Sequence, residues 1–200
     1  MNADIRNRFP DLHPAFSRQE ATVEANRCLY CADAPCAAAC PTHIDVPKFI
    51  KKISSDNLRG SALTILEANI LGASCARVCP VDVLCEGACV MHRFNREPIE
   101  IGRLQRYAMD HFTWGQGFRL AAGLPPGASP MKVACIGSGP ASLACAAELA
   151  RKGHKAVVFE GKRYPGGLNT YGVAEYKLRA QESMHEITFI LSLGVEIRTG

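Results

Sequence analysis

The 200-residue sequence lacks any apolar run of the roughly 18 residues that a membrane-spanning helix needs. It has no long run of Lys or Arg, and its formal net charge is only +4, so nothing in the composition favours nucleic-acid binding. The first residues, Met1 to Asp4, contain neither the basic nor the apolar segment of a secretory signal. We therefore expect a cytoplasmic protein with no membrane or nucleic-acid partner.

Cysteine, in contrast, is abundant: the chain has 10 cysteines, and eight of them fall into two motifs of four. The first cysteine motif is Cys28, Cys31, Cys36 and Cys40, and the second is Cys75, Cys79, Cys85 and Cys89. In a reducing cytosol, densely spaced cysteines usually bind metal rather than each other. The two motifs therefore predict two four-coordinate metal sites.

The first motif reads C-x2-C-x4-C-x3-C-P, which resembles the run of bacterial two-cluster ferredoxins with a longer middle gap. In that run, the cysteine before proline ligates the other cluster. The spacing thus assigns Cys28, Cys31 and Cys36 to one cluster and Cys40 to the second, and the second motif would complete both. Two zinc sites remain the alternative, because paired cysteines also bind zinc.

Residues 1–118 are predicted to form a small α-helical domain. Helices are expected to begin at Ser17, which opens a capping box, at Asp45, and at Asp56 or Asn57. Gly72 is predicted to end the third of these helices. Because so small a helical domain has a modest apolar core, clusters would supply much of its stability.

A further helix is predicted from Ile99 to Phe112, and Gln105 falls within its apolar stripe. A buried amide needs a hydrogen-bonding partner. One interpretation is a bond to the backbone, which the spacing alone favours; the other is that the amide oxygen approaches a cluster iron.

The sequence changes character after a Gly- and Pro-rich segment, in which residues 119–130 are predicted to be a linker. Residues 131–200 begin with a strand at Lys132–Ile136, continue through a glycine turn into a helix, and reach a second strand at Lys155–Phe159. This order is the dinucleotide-binding fingerprint in its structural context. It predicts an incomplete Rossmann-like domain.

The glycine turn supplies candidate cofactor-binding residues. Gly137 permits the tight turn, and Gly139 lets the backbone approach a pyrophosphate at the helix N-terminus. Glu160, at the end of the second strand, would accept hydrogen bonds from ribose hydroxyls. Ser142 replaces the third glycine of the motif, and Cys145 and Cys135, outside both cysteine motifs, are expected to be small core residues.

A helix is predicted from Tyr176 to Leu193, capped by Gly194, with a third strand starting at Val195. A doubly wound sheet needs more strands than these, and only one dinucleotide fingerprint is present. We therefore expect a fragment or truncated protein that lacks a separate NAD(P)H domain.

Several motifs together resemble the NAD(P)H-oxidising flavoprotein family that includes the glutamate synthase small subunit and the electron-input part of dihydropyrimidine dehydrogenase. The resemblance covers nearly all of residues 18–200. The motifs that carry it are Arg27 to Cys31, Pro35 to Thr42, Cys79-Pro80, Cys85-Glu86, Ile101 to Gln105, Ile136 to Ser142, and Gly166 to Leu168 with Gly172.

The resemblance implies a ligand set for two [4Fe-4S] clusters. One cluster would be held by Cys28, Cys31, Cys36 and Cys89, and the other by Cys40, Cys79, Cys85 and Gln105. Cys75 would then be a spare thiol, and the obvious substitute if Gln105 were not a ligand. The Gln105 match favours the dihydropyrimidine dehydrogenase branch of the family.

The resemblance also implies that the nucleotide is FAD and indicates which residues would bind it. These are Gly137, Gly139, Pro140, Ala141, Glu160, Gly167 and Leu168. In the family, NAD(P)H reduces FAD, and electrons pass singly through the clusters to a partner site with a second flavin. The expected partner is an FMN-containing subunit that reduces uracil or thymine, so no catalytic acid–base residue is expected in this chain.

Two alternatives stay open from the sequence. One is a glutamate synthase small subunit or a related electron-bifurcating NADPH oxidoreductase, which would differ in its partner. The other is a zinc-stabilised interaction module joined to a nucleotide-binding domain, which iron analysis and a visible spectrum would distinguish.

Overall fold

A computed structural model describes residues 10–114 and 130–200 of the chain. The chain divides into two compact units, Met1–Thr113 and Trp114–Gly200. All of the predicted linker except Pro130 lies outside the described residues. No helix within the described residues is long and apolar enough to cross a membrane.

The first unit is helical. Its α-helices are α1 (Arg18–Asn26), α2 (Pro35–Ala38), α3 (Val46–Ser54), α4 (Leu58–Ala68), α5 (Gly72–Val78) and α6 (Ile101–Asp110). Short 3-10 turns at Val81–Val83 and Val90–Phe94 lie between α5 and α6. Cysteines of both motifs therefore stand in short helices, at helix ends and in the loops between them.

The core of this unit lies where α1, α3, α4 and α6 pack together. Ala25 of α1, Phe49 of α3, Ile65 of α4 and Leu104 of α6 are each fully buried. The strongly amphipathic α3 places Phe49, Ile50 and Ile53 on one face, at the spacing of successive helical turns.

The predicted helix starts are confirmed. Ser17 forms both bonds of a capping box with Glu20. Asp45 accepts a hydrogen bond from the Lys48 N–H at 3.1 Å. At the third start it is Asn57, not Asp56, that caps the helix, by accepting from the Gly60 N–H at 2.9 Å.

The expectation that Gly72 ends a helix is wrong, because Gly72 begins α5 instead. The preceding helix ends at Ala68, and the Asn69 side chain turns the chain by accepting from the Leu71 N–H at 3.0 Å. A Cβ on Gly72 would lie 2.6 Å from a methyl carbon of Ile65. The glycine therefore allows a close approach that any larger residue would prevent.

The second unit contains a three-stranded parallel sheet with the strand order β1-β2-β3. Its elements are β1 (Lys132–Ile136), α7 (Pro140–Arg151), β2 (Lys155–Glu160), α8 (Leu168–Tyr171), α9 (Ala180–Ser192) and β3 (Glu196–Thr199). In the register, Lys132 of β1 pairs with Lys155 of β2, and Val157 of β2 pairs with Glu196 of β3. The predicted strands and glycine turn are confirmed.

Two expectations for this unit need correction. The predicted helix from Tyr176 begins later, at Ala180, and the short helix α8 was not predicted. Cys135 is buried as expected, but Cys145 is exposed on α7 rather than part of the core. Gly194 follows α9 with a φ of +97°, as the predicted cap requires.

Candidate metal and nucleotide sites

Site 1 is a cavity in the helical unit that four thiols line together. The thiols are those of Cys28, Cys31, Cys36 and Cys89. Three come from the first cysteine motif. The fourth, Cys89, comes from the second motif and is the N-cap of the 3-10 turn Val90–Phe94. Apolar side chains, including Val46, Ile50 and Ile101, form the remaining walls.

The thiols of site 1 disfavour one another's ionisation. Burial raises the pKa of Cys36 to about 11; the backbone N–H of Ala37 partly offsets this, and the Cys28 and Cys89 sulfurs raise it again. Burial likewise raises the pKa of Cys28, with added contributions from Cys31 and Cys89. Bound cations would relieve this repulsion, because thiolates are the form that ligates metal.

Site 2 brings Cys40 of the first motif to Cys75, Cys79 and Cys85 of the second. Burial is the largest cause that raises the pKa of Cys85 to about 12. The negative charges of the Glu86 carboxylate and of the Cys79 and Cys40 sulfurs raise it further. Cys40 stands one helical turn beyond Cys36 and lies 3.5 Å from the Thr42 hydroxyl. The structure thus places Cys40 with the second motif and Cys89 with the first.

Gln105 projects from α6 toward site 2 and is only 6% exposed. Its side-chain nitrogen donates to the Gly72 carbonyl at 2.8 Å. Burial raises the pKa of Cys75 to about 12, and a hydrogen bond from the Gln105 amide partly lowers it. Gln105 therefore has the backbone partner that the spacing favoured and also contacts the thiol set.

Within residues 10–114 and 130–200, no three His, Cys, Asp or Glu side chains converge tightly enough to hold a single metal ion. A [4Fe-4S] cluster is larger, and each of its four protein ligands binds a different iron atom. Its ligands consequently stand farther apart than those of one ion. Four thiols around an apolar cavity, as in site 1, fit such a group.

The glycine turn of the second unit is open where a nucleotide would approach. Gly137 has a φ of +79°, and a Cβ at Gly137 or Gly139 would meet nothing within 4 Å. Pro140 and Ala141 form the first turn of α7, so the helix N-terminus faces the same turn. This arrangement suits a pyrophosphate, which binds backbone N–H groups at a helix N-terminus.

A network around Ser138 holds this turn in place. Glu160 accepts from the Ser138 N–H and from the Lys162 N–H, each at 2.8 Å, as well as from the Ser138 hydroxyl. The bond from the Ser138 hydroxyl is the largest cause that lowers the pKa of Glu160. Gly166 also donates to the Ser138 hydroxyl, at 3.1 Å.

The second glycine segment lies against the first. Gly167 has a φ of +56°, and a Cβ there would lie 2.8 Å from the Gly139 Cα. Leu168, the first residue of α8, is 72% exposed. The structure therefore brings Gly137, Gly139, Gly167 and Glu160 into one region around the turn.

Comparison with known families covers both units. Residues 5–116 match the model of dihydropyrimidine dehydrogenase domain II, 4Fe-4S cluster. The chain belongs to this family. Residues 135–187 match an NAD(P)-binding Rossmann-like domain. The predicted fold class is confirmed: a helical 4Fe-4S domain of this family precedes a Rossmann-like nucleotide-binding domain.

Curated relatives of this family align with almost the whole chain. The NAD-dependent dihydropyrimidine dehydrogenase subunit PreT of Escherichia coli (strain K12) is 41% identical over 194 residues, which cover 96% of this chain and 46% of that protein. The PreT homolog of Salmonella typhi is 39% identical over 193 residues, with the same coverage. The chain spans about half the length of these relatives.

Sequence reasoning missed two residues at these sites. The sequence pattern marks Ser138 only as part of the glycine turn, although its hydroxyl links Glu160 to Gly166. Thr42 contacts Cys40. A short polar residue between two glycines, or two residues past a cysteine, signals such a bond, since Ser and Thr often bond nearby groups.

Proposed function

We propose that this chain is the electron-input part of an NAD(P)H-dependent oxidoreductase that contains FAD and two [4Fe-4S] clusters. The observation that carries the proposal is the exchange of cysteines between the two motifs. Cys89 lines site 1 with the first motif, and Cys40 lies with the second motif in site 2. Two groups built in this way fit two neighbouring clusters, as in two-cluster ferredoxins.

In site 1, Cys28, Cys31, Cys36 and Cys89 would ligate the first cluster. They converge on one cavity from three segments of the chain, and apolar residues surround them. The apolar walls would exclude water from the cluster. Burial and solvent exposure are among the factors that set a cluster's reduction potential.

In site 2, Cys40, Cys79, Cys85 and Gln105 would ligate the second cluster. The Gln105 amide nitrogen donates to the Gly72 carbonyl. The hydrogen bond between Gln105 and Cys75 lowers the pKa of that thiol, which is the effect of a bond donated to the sulfur. The amide oxygen is then the atom of Gln105 that remains for iron. A neutral oxygen ligand makes this cluster one charge less negative than one with four thiolates.

FAD would bind at the glycine turn. Gly137 and Gly139 would admit the pyrophosphate, Pro140 and Ala141 would present the helix N-terminus, and Glu160 would retain acceptor capacity for ribose. Gly167 and Leu168 lie beside this turn. The chemistry that bound flavin supplies is acceptance of a hydride from NAD(P)H and one-electron transfer to clusters.

The partner would be an FMN-containing subunit that reduces uracil or thymine to the dihydropyrimidine. Support comes from the relatives, which are named as subunits of an NAD-dependent dihydropyrimidine dehydrogenase. No acid–base residue of pyrimidine reduction is assigned to this chain. Its residues would hold and tune the cofactors that deliver electrons.

Cofactor analysis of anaerobically purified protein tests the proposal. We expect about eight iron atoms and as many sulfides per chain, together with one FAD released on denaturation. Dithionite is then used to reduce the protein, because hydride entry from NADH or NADPH would need the NAD(P)H domain that this sequence is expected to lack. In the presence of the partner subunit, uracil should accept the electrons.

Two results would refute particular parts of the proposal. Protein that is colourless and loaded with zinc would exclude the clusters. Protein that contains iron but releases FMN or no flavin would exclude FAD at the glycine turn.

A further inference from the structure

Tyr30 lies between Cys28 and Cys31, two of the thiols that line site 1, and its backbone adopts an unusual conformation. Its φ is +51°, in the left-handed region. A bulky residue rarely adopts this region, because its Cβ approaches the following carbonyl oxygen. Such a conformation persists where surrounding contacts impose it. The contacts of Tyr30 therefore identify what holds the turn between the two thiols.

The side chain of Tyr30 is anchored on two helices of the core. Its hydroxyl donates to the Ala25 carbonyl of α1 at 3.0 Å, and its oxygen lies 3.2 Å from the Ser54 hydroxyl at the end of α3. The Lys51 ammonium, on the same helix as Ser54, lies 4.8 Å from the centre of the ring. Because α1 and α3 pack against each other, the anchor is attached to the packed core of the unit.

The left-handed turn explains how Cys28 and Cys31 come to face one cavity. Helix α1 ends at Asn26, so the two thiols are not on a shared helical face. In an extended chain, residues three positions apart point to opposite sides. A residue with positive φ between them turns the chain, and both thiols line site 1. The conformation of Tyr30 is thus part of the geometry of the site.

A second left-handed residue in the first cysteine motif offers no comparable anchor. Ala34 precedes α2 with a φ of +33°, and its methyl group cannot form a hydrogen bond. Of these two turns, the one at Tyr30 is the one that a side chain ties to the helices.

We propose that Tyr30 is a positioning residue of site 1, whose hydroxyl holds the turn between Cys28 and Cys31 against α1 and α3. This inference rests on the proposed ligation of a cluster by these two thiols. A ligand segment that is restrained before binding loses less conformational freedom when it binds. The anchor should therefore slow the loss of the cluster from site 1 and restrain the turn in the metal-free protein.

The test compares Tyr30→Phe, which keeps the ring and loses only the hydroxyl, with the unmodified protein. Tyr171→Phe is the matched control, because the Tyr171 hydroxyl also bonds the backbone, by accepting from the Tyr164 N–H at 2.8 Å in the second unit. Hydrogen exchange of the reduced, metal-free protein is followed by mass spectrometry in peptides that cover residues 27–36 and 75–89. In the iron-loaded protein, a chelator is added and the release of iron is followed with time.

We expect Tyr30→Phe to speed exchange in residues 27–36 by about 2- to 10-fold, the range that the loss of one hydrogen bond gives, and to leave residues 75–89 unchanged. Half of the iron should leave faster than in the unmodified protein, and the other half at the original rate. Tyr30→Gly, which adopts a positive φ without strain but has no side chain, should show at least the same effects. Tyr171→Phe should show neither.

Unchanged exchange and iron release in Tyr30→Phe would overturn the assignment, because the hydroxyl would then hold nothing. Equal acceleration in residues 27–36 and 75–89, or of all the iron, would also overturn it, since Tyr30 would then support the helical unit as a whole. Failure of the proposed function is distinct, because the unmodified protein would then contain no iron, while exchange in the metal-free protein would still test the anchor.

Discussion

Gln105 is the one residue of the proposed cluster ligands that is not a cysteine. It is buried, it bonds the Gly72 carbonyl, and it contacts the Cys75 thiol. A neutral amide in place of a thiolate lowers the negative charge of the cluster, and net charge is one of the factors that set its potential. Gln105 would therefore set the difference in potential between the two clusters.

Substituting Gln105→Cys is expected to lower the reduction potential of one cluster, because a fourth thiolate adds one negative charge. An electron paramagnetic resonance titration against applied potential measures the shift. Gln19→Cys, which adds a thiol on the exposed side of α1, is the matched control and should leave both potentials unchanged. An unchanged potential in Gln105→Cys would contradict ligation by Gln105.

The thiols also predict how the metal-free protein responds to pH. Burial raises the pKa of Cys36 to about 11 and that of Cys85 to about 12, whereas an unfolded thiol has a pKa of about 8.5. The folded state therefore holds protons that the unfolded state releases, and their stabilising contribution is complete below about pH 8.5 and is lost as the pH rises toward the folded values.

We accordingly expect the free energy of unfolding of the metal-free protein to fall as the pH rises from about 8.5 toward about 11. Urea unfolding under reducing conditions measures it. The variant Cys85→Ser should show a smaller decrease over the same range. A stability that rises with pH would contradict the burial of these thiols.

At the scale of elements, the short turn between β1 and α7 depends on contacts from two later segments. Ser138 is fully buried, and its hydroxyl bonds both the Glu160 carboxylate and the Gly166 N–H. The ends of two strands and the second glycine segment are thereby held together. This network keeps the turn open for a nucleotide before any nucleotide binds.

The variant Ser138→Ala is expected to weaken FAD retention by about 5- to 100-fold, because losing a buried hydroxyl leaves its partners unsatisfied at a cost of about 1–3 kcal/mol. Equilibrium dialysis or flavin fluorescence measures the affinity. Ser192→Ala is the control, since that hydroxyl donates to the Phe189 carbonyl at the end of α9. Equal retention in both variants would show that the network does not support the nucleotide site.

At the scale of the whole molecule, the two units are stabilised in different ways. The second has a parallel sheet whose strands are hydrogen-bonded along their length. The first is a set of short helices joined by segments that carry its cysteines, and its four-thiol cavity lies among them. Metal ligation would connect these segments, so cluster binding and folding are expected to be coupled in that unit.

Removing the clusters with a chelator and an oxidant, followed by reduction of the thiols, should therefore expose the cysteine-bearing segments 28–40 and 75–89 to protease, while the apolar core keeps the helical unit folded. Residues 131–200 should remain protected. Circular dichroism and mass spectrometry of the proteolytic fragments measure both effects. Equal protection of the helical unit with and without iron would show that its apolar core is sufficient.

Local features of the fold could be predicted from the sequence, whereas contacts between helices could not. Capping at Ser17, Asp45 and Asn57 was predictable, because a cap is a local interaction between residues three positions apart. The start of α5 at Gly72 was not, because the close contact with Ile65 comes from another helix. The exposure of Cys145 was not predictable for the same reason, since burial depends on what packs against a helix.

The sequence by itself determined the number and spacing of the thiols, the glycine turn, and the succession of strand, helix and strand along the chain, since each is a property of neighbouring residues. The spacing placed Cys40 with the second motif, but only the tertiary structure decided that Cys89 lines the cavity with the first, that Gln105 bonds the Gly72 carbonyl, and that the Ser138 hydroxyl donates to the Glu160 carboxylate. These contacts join segments distant in the chain, and packing alone sets their distances.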